Sequence, residues 1–202
     1  MAFDYTKYFD LYRLFIPELK TALAIAAQVG PLFAATVLSV VVARLLGTAG
    51  TGAFSLILTT FDVVLLVFTF GLSGGITYYV SRRTWTVRSA LRQTSLVALG
   101  AGGAGFATGV AFYALTRDSV LDGVTTFQIV TALAALPFAL AWAFAVAIAL
   151  GRDRYEAYTG LELVNAAMML VVGVTLAATS GLSGAVVGFA LAQVATAVAG
   201  AW

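Results

Sequence analysis

The sequence predicts an all-α polytopic membrane protein, a bundle of six transmembrane helices. Of its 202 residues, 61% are hydrophobic and 10% are charged, and the mean hydropathy is +1.00. Soluble globular proteins average about 45–50% apolar and 25% charged residues. Six apolar stretches fill nearly the whole chain, and each is close to or above the ~20 residues that cross the hydrocarbon core of a bilayer. The predicted spans are 21–46, 53–73, 95–115, 127–150, 161–179 and 182–202.

The absence of cysteine and histidine limits the chemistry that this chain can perform. It excludes disulfides, thiol nucleophiles and imidazole acid–base catalysis, and it removes the usual ligands of soft metals. We therefore expect no enzymatic activity, no catalytic residue, no cofactor and no metal site. The net charge is only +2, and the basic residues lie beside apolar spans. We interpret them as determinants of orientation and as lipid contacts, and we expect no nucleic-acid partner.

Residues 1–20 predict an amphipathic helix that lies in the cytoplasmic interface of the membrane. Aromatic and aliphatic residues recur there at helical spacing, with acidic and basic residues between them. Pro17 is expected to separate this helix from the first span. The residues on the predicted apolar face are Tyr5, Tyr8, Phe9, Tyr12, Phe15 and Ile16.

The second span carries the clearest functional signal. Asp62 lies about ten residues into it, near the bilayer midplane, where an acid costs about 2.5–3.5 kcal/mol unless it faces water or a partner. We predict a substrate pathway along this face; the alternative is a structural role, with hydroxyls bonded back to helix carbonyls and a protonated acid. On 3.6-residue spacing the polar face holds Ser55, Thr59, Asp62, Thr69 and Ser73, and the opposite face holds Ile57, Phe61, Val64 and Phe68.

Four further residues are candidates for this pathway. The short glycine-rich loop 47–52 makes the first two spans antiparallel neighbours, so Gln28 on the first span could meet the polar face of the second. Arg44 is either a pathway residue or a cation in an ordinary helix C-terminus. Glu162 and Asn165 share a face at the cytoplasmic end of the fifth span, where they either line a cavity or, for Glu162, extend to water. The polar side of the first span is Thr21, Gln28, Ala35 and Ser39.

A cluster of arginines and aromatic residues follows the second span. Guanidinium groups bind phosphate in a bidentate manner, and tyrosine and tryptophan prefer the headgroup layer. We predict that this cluster contacts a lipid phosphate; simple anchoring of a cytoplasmic loop is the alternative. The arginines are Arg82, Arg83, Arg88 and Arg92, beside Tyr78, Tyr79 and Trp85.

The distribution of Lys and Arg predicts the orientation. Nine of these residues fall in the N-terminal segment and in the loops after the second and fourth spans, and the opposite side has two, Arg44 and Arg117. The excess places these loops in the cytoplasm. A multi-pass protein of the cell membrane follows, with both termini cytoplasmic. Because the chain ends within an apolar span, a truncated or half-length product is as reasonable as a single natural lobe.

Glycine patterns within the spans predict close helix packing. Residues 100–105 match the GxGxxG pattern of dinucleotide sites, but no strand precedes them, so we interpret them as helix contacts. The same role is expected for three pairs with four-residue spacing, Gly71/Gly75, Gly105/Gly109 and Gly184/Gly188.

Two motifs resemble a known transporter family. They are VVARLLGTAGTGAFSLILT at residues 41–59 and, after a hydrophobic helix, FGLSGGITYYVSRR at residues 70–83. They are similar to the start of polysaccharide (O-antigen-type) flippases of the multidrug/oligosaccharidyl-lipid/polysaccharide exporter superfamily. This resemblance implies two pseudo-symmetric six-helix lobes that move a polyprenyl-pyrophosphate-linked glycan from the inner to the outer leaflet by alternating access. This chain would supply one lobe, residues 21–202.

The resemblance implies three partners: membrane lipids, the lipid-linked glycan, and a second lobe. The second lobe would be either a missing C-terminal half or another copy of the chain. A cation-coupled drug exporter of the same superfamily is an alternative, although the first span lacks the acid that is typical of those exporters. A membrane glycosyltransferase or polymerase is disfavoured because the chain has no D-x-D pair and its loops are short. A non-transporting membrane scaffold is the third alternative.

Overall fold

The chain is helical throughout the part that its structure, a computed structural model, describes: residues 5–117, 119 and 121–200, with residues 5–20 given by their backbone alone. No β-strand occurs among these residues, so the all-α prediction is confirmed for them. The amphipathic face predicted for residues 1–20 lies outside the described side chains. The backbone is helical on both sides of Pro17, which therefore does not end the helix. The helices are α1 Tyr5–Thr69, α2 Leu72–Ser81, α3 Val87–Thr116, α4 Thr126–Ala134, α5 Leu136–Gly151 and α6 Tyr155–Gly200.

Four helices in the described part of the chain are long and apolar enough to cross a membrane. They are Thr21–Thr69, Val87–Thr116, Thr126–Gly151 and Tyr155–Gly200. The predicted number of six transmembrane helices is not supported by this count. The first and last have 49 and 46 residues, about twice what a bilayer requires. Each of these two contains one internal break.

Helix α1 folds back on itself at Gly47. This residue has φ 67° and ψ −173°, outside the helical region and in the half of φ space that favours glycine. In a straight helix, the twelve residues from Val42 to Phe54 would span about 18 Å. Val42 and Phe54 instead line one small void together with Leu38, so the helix reverses between them. The predicted loop 47–52 is therefore wrong in length, because Gly47 alone leaves the helical conformation. We call residues 21–46 and 48–69 the first and second arms of α1.

Helix α6 contains a similar reversal at Ser180 and Gly181, which has φ 60°. A Cβ atom placed on Gly188 would lie 2.8 Å from the Cα of Gly173. Fifteen residues of straight helix would separate these positions by about 22 Å. The arms 155–179 and 182–200 are thus packed side by side, and they are called the first and second arms of α6.

A proline accounts for the break in the predicted span 127–150. Helix α4 ends at Ala134, and α5 begins at Leu136 with Pro137 in its first turn. Proline has no N–H to donate to the preceding turn, so the continuous helix ends there and a second one begins. The single helix predicted for this stretch is corrected to two consecutive helices.

The predicted ends around the arginine cluster also move. The second arm of α1 ends at Thr69 rather than at residue 73, because Phe70 and Gly71 adopt positive φ values of 45° and 67°. Helix α3 begins at Val87, eight residues before the predicted start, where the Thr86 hydroxyl accepts a hydrogen bond from the N–H of Ser89. The fifth predicted span likewise begins earlier, at Tyr155.

Consecutive segments run alternately between two ends of the molecule. At one end, the guanidinium of Arg152 donates a hydrogen bond to the carbonyl of Trp85 (2.9 Å). At the other, the amide of Gln128 donates to the hydroxyl of Ser183 (3.2 Å). We call these the basic end, with residues 82–92 and 152–154, and the Gly47 end, with Gly47, 117–125 and 181.

The core lies between the second arm of α1, α4, α5 and the second arm of α6. Phe61 and Phe189 meet edge to face, with ring centroids 4.8 Å apart. Glycines let α3 approach, as expected: a Cβ on Gly102 would lie 2.7 Å from the Pro137 nitrogen, and one on Gly109 would lie 2.8 Å from Leu133. The pair Gly71/Gly75 is a correction, because neither glycine has a neighbour within 4 Å of its Cβ position. Gly71 serves instead as the positive-φ residue that precedes α2.

Candidate functional site

A polar face runs along the outside of the second arm of α1. Ser55, Thr59 and Asp62 are exposed, whereas the residues predicted for the opposite face pack into the core. Of these, Ile57, Phe61 and Val64 are buried, and Phe68 packs against them. The predicted division of this helix into a polar face and a core face is confirmed for residues 55–64, but Thr69 is half-buried and Ser73 lies on α2. The polar face therefore points away from the chain's own bundle.

Asp62 has no hydrogen-bond or ion-pair partner within the described part of the chain. It lies in the middle of an arm that is apolar on its other sides, with Val63 and Leu66 also exposed. Thr69, at the end of the same face, donates its hydroxyl to the carbonyl of Leu65 at 2.6 Å. The hydroxyl of Thr69 thus follows the back-bonding pattern, whereas the carboxylate of Asp62 makes no such bond within the described residues.

Gln28 lies on the neighbouring arm, within about two helical turns of Asp62 along the helix axis. Phe54 lines one void together with Leu38 and Val42. Residues that face each other across the α1 hairpin therefore have numbers that add up to about 92–96. Asp62 is then level with residues 30–34, which lie two to six residues, or about 3–9 Å along the helix axis, from Gln28. Gln28 is exposed, as are Thr21, Ala35 and Ser39. The structure therefore brings the two predicted polar sides to one level without joining them by a hydrogen bond.

Arg44 is separated from Asp62 along the helix axis. It is exposed in the last turn of the first arm, just before Gly47. The same register places it level with residues 48–52, ten or more residues and hence at least about 15 Å from Asp62. Arg44 is in the right place for a cation at a helix C-terminus, and the fold does not offer it to Asp62 as a counter-ion.

Glu162 and Asn165 occupy a different part of the fold from the polar face of α1. Glu162 is half-buried and Asn165 is buried on the first arm of α6, which packs along the first arm of α1. One turn earlier, the hydroxyl of Thr159 donates to the carbonyl of Leu23 at 3.0 Å. The side-chain oxygens of Asn165 and of Gln193 on the second arm are buried and lack hydrogen-bond partners in the described chain. The fold thus places these two amides between packed arms rather than on the exposed face.

The arginine cluster is exposed at the basic end. Arg82 lies over the ring of Tyr78, 4.6 Å from its centroid, and Tyr79 stacks on Trp85 at 5.6 Å. The four arginines lie between the end of α2 and the second turn of α3, and all are exposed: Arg82, Arg83, Arg88 and Arg92. Their guanidinium groups are free of carboxylate partners among the described residues.

Arg152 is the residue that the sequence pattern did not single out. It enters the prediction only as one of the cytoplasmic charges, yet it is the cation that ties the loop after α5 to Trp85. Its neighbour Asp153, with a positive φ of 55°, marks a tight turn. An arginine before such a turn, at the end of an otherwise apolar helix, is the signal that could have indicated a tertiary role.

Comparison of the chain with models of protein families, with curated proteins and with solved structures gives no match. The function of this protein is therefore inferred from its own sequence and geometry.

Proposed function

We propose that this chain is one lobe of a membrane transporter that moves a lipid-linked oligosaccharide from the inner to the outer leaflet. The observation that carries the proposal is the exposed, unpartnered Asp62 with Ser55 and Thr59 on the outer face of α1. An acid in the middle of a membrane helix is costly unless water or a partner meets it. A polar cavity between this lobe and a second one supplies that environment.

The proposal includes six membrane crossings, because α1 and α6 each fold back into two arms. Each arm has roughly the ~20 residues that a crossing needs. The reversals at Gly47 and Gly181 lie at the end opposite the basic loops, as six crossings require. In this arrangement residues 21–46, 48–69, 87–116, 126–151, 155–179 and 182–200 cross in alternating directions, and both termini are cytoplasmic.

The second lobe is either a C-terminal half or another copy of this chain, and it faces the polar side of α1. Alternating access requires two bodies that rock about a site near the midplane. Asp62 and Gln28 lie on neighbouring arms and form this lobe's part of the pathway, together with Ser55, Thr59 and Thr69. Arg44 contributes nearer to the Gly47 end of the pathway.

The arginine cluster serves the charged end of the substrate. Its guanidinium groups are exposed at the cytoplasmic membrane edge, beside aromatic rings that favour the headgroup layer. A polyprenyl pyrophosphate carries the oxygens that arginine binds in pairs. Arg82, Arg83, Arg88 and Arg92 would therefore receive the lipid phosphate before translocation.

Transport in proteoliposomes tests the proposal. The 202-residue chain is reconstituted, and the passage of a fluorescent polyprenyl-pyrophosphate glycan to the opposite leaflet is measured. We expect Asp62→Asn to lower the initial rate about tenfold or more, because an amide cannot carry the charge that the pathway uses. Thr60→Val is the matched control, since the hydroxyl of Thr60 on the same arm is already bonded to the carbonyl of Leu56 at 2.8 Å.

The other outcomes assign the chain to another class. Transport only when a second half is supplied makes the chain half of a flippase, which retains the proposal. Movement of a cationic drug instead of the glycan, driven by an ion gradient, would move the chain to the drug exporters. No transport of either substrate, with or without a second half, would leave a membrane scaffold.

A further inference from the structure

A cavity of about 360 Å³ opens at the basic end, away from the polar face of α1. It lies between the start of α3, the end of α5 and both arms of α6. Its walls are aliphatic, with Val87, Leu91, Ile148 and Leu161 among them, and two arginines, Arg152 and Arg154, line it as well. No carboxylate lines it among the described residues. The cavity thus has mainly apolar walls, and its charged side chains are the cations Arg152 and Arg154.

Arg152 has a donor that the chain itself does not use. One terminal nitrogen of its guanidinium donates to the carbonyl of Trp85 at 2.9 Å, which holds the side chain in place. The Nε atom is buried and has no hydrogen-bond partner in the described part of the chain. The protein encloses that atom, but the second terminal nitrogen of Arg152 is not enclosed and forms no hydrogen bond within the described part of the chain, so it can donate to an oxygen of a ligand. Arg154 is exposed and adds a second positive charge.

We propose that this cavity binds an anionic glycerophospholipid of the cytoplasmic leaflet. The phosphate lies on Arg152 and Arg154, and part of an acyl chain lies against the aliphatic walls. Charge complementarity selects a phosphate-bearing anion, and the apolar walls select an amphiphile over a free anion. The cavity has a size usual for a small-ligand site. This inference rests on the proposed orientation, with the basic end at the cytoplasmic edge of the membrane, but it goes beyond the proposed transport of a glycan and does not depend on it.

Such a lipid would join three elements that are distant in sequence. It would contact α3 through Val87, α5 through Ile148 and the second arm of α6 through Ala199. The site therefore differs from a general layer of lipid around the protein, because its contacts converge on one guanidinium already fixed by Trp85. We expect saturable binding of one lipid at this position.

The experiment uses the purified full chain in a non-ionic detergent and measures bound lipid by native mass spectrometry. The probes are phosphatidylglycerol, phosphatidylcholine and inorganic phosphate. We expect the first phosphatidylglycerol to bind about tenfold more tightly than phosphatidylcholine, and Arg152→Gln or Arg154→Gln each to weaken it about fivefold. Arg117→Gln is the control for loss of one positive charge, because Arg117 is exposed at the Gly47 end and does not line the cavity.

A second pair of variants tests the cavity without touching a charge. Gly160 lines the cavity, and a Cβ atom on it would have no neighbour within 4 Å, so Gly160→Leu adds apolar volume at the cavity wall without a clash at its Cβ. Gly103→Leu, at an equally open position on α3, is its control. We expect Gly160→Leu to abolish the tight lipid and Gly103→Leu to retain it. If Arg152→Gln does not fold, Arg154→Gln and Gly160→Leu decide the question.

Three results would overturn the proposal. The first is equal affinity for phosphatidylglycerol and phosphatidylcholine. The second is tight binding that survives Gly160→Leu or weakens as much in Arg117→Gln as in Arg154→Gln, which would indicate general attraction to positive charge. The third is displacement of the lipid by inorganic phosphate at equal concentration, which would indicate a site for free anions.

Discussion

Phe61 and Asp62 are adjacent in sequence and lie in opposite environments. Successive residues of a helix point about 100° apart, so one can enter the core while the next faces outward. Phe61 is 1% exposed and meets Phe189 edge to face, whereas Asp62 is exposed and unpartnered in the described chain. The same turns of helix thus contribute a side chain to the core and present the polar face. A loss of function at Asp62 can be separated from a loss of stability at Phe61.

Phe61→Ala is expected to destabilise the fold by about 3–5 kcal/mol, through lost packing and the cavity left beside Phe189. The free energy of unfolding is measured by titration with sodium dodecyl sulfate in mixed micelles. Leu66→Ala is the control, because Leu66 is 75% exposed on the same arm, and it should change stability by less than about 0.5 kcal/mol. Similar losses for both variants would show that Phe61 is not part of the core.

Periodicity predicts the polar face at the level of residues but does not reveal tertiary partners. The 3.6-residue spacing is a local property of one helix, and the buried side at Ile57, Phe61 and Val64 follows from it. The burial of Asn165 and the bond from Arg152 to Trp85 depend on how distant helices pack, 67 residues apart in the latter case. No local pattern contains that information. The prediction therefore places Asn165 at a cavity, whereas the fold places it between packed arms.

At the scale of elements, glycines have two separate functions. Gly47 and Gly181 adopt positive φ and allow a helix to reverse. Gly102, Gly109 and Gly188 are helical, and they bring neighbouring helices closer than a side chain would permit. The hairpin of α6 depends on both functions, with the reversal at Gly181 and the close contact of Gly188 with Gly173.

Gly188→Ala is expected to lower the free energy of unfolding by about 1–3 kcal/mol, since the new methyl group would overlap the backbone of the facing arm. Its Cβ would lie 2.8 Å from the Cα of Gly173 and 2.9 Å from the carbonyl oxygen of Val172. The matched control is Gly103→Ala, which lies in open space and should be neutral or stabilising by up to about 1 kcal/mol. Detergent unfolding of the two variants in parallel gives the comparison. A neutral Gly188→Ala would contradict the close contact of the arms.

The sequence predicts the presence of long helices better than it predicts where each helix begins and ends. Apolar length and composition predict long helices correctly, since these properties decide what can be buried in lipid. Helix ends depend on single residues: Thr86 extends α3 upstream by capping it, and Pro137 divides one predicted span into two. The six-residue loop predicted at 47–52 contracts to Gly47, because one positive φ is enough to reverse the chain. These outcomes are set by local conformational energies that hydropathy does not contain.

At the scale of the whole molecule, the two ends of the fold differ in charge. The reversals at Gly47 and Gly181 lie at one end, and the loops 82–86 and 152–154 lie at the other. The latter, the basic end, carries most of the basic residues that lie outside the N-terminal segment. If α1 and α6 each crossed once, the loop 82–86 would lie on the side opposite the N-terminus. Arg82 and Arg83 would then lie on the extracellular side when the N-terminus is cytoplasmic. The proposed six crossings would keep every basic loop on the cytoplasmic side, in accord with the positive-inside rule.

The absence of cysteine makes this orientation directly measurable, because single cysteines can be introduced without background labelling. A membrane-impermeant maleimide applied to intact cells should label Thr48→Cys and Asp122→Cys, and should label Thr84→Cys and Glu156→Cys only after lysis. All four positions are exposed in the structure, so accessibility to the reagent depends on the membrane alone. With a cytoplasmic N-terminus, single crossings by α1 and α6 would reverse the result for Asp122, Thr84 and Glu156 and leave Thr48 within the bilayer. Labelling of Thr84→Cys in intact cells would therefore reject the hairpin at Gly47 as a pair of crossings, and it would remove the midplane position of Asp62 on which the transport proposal depends.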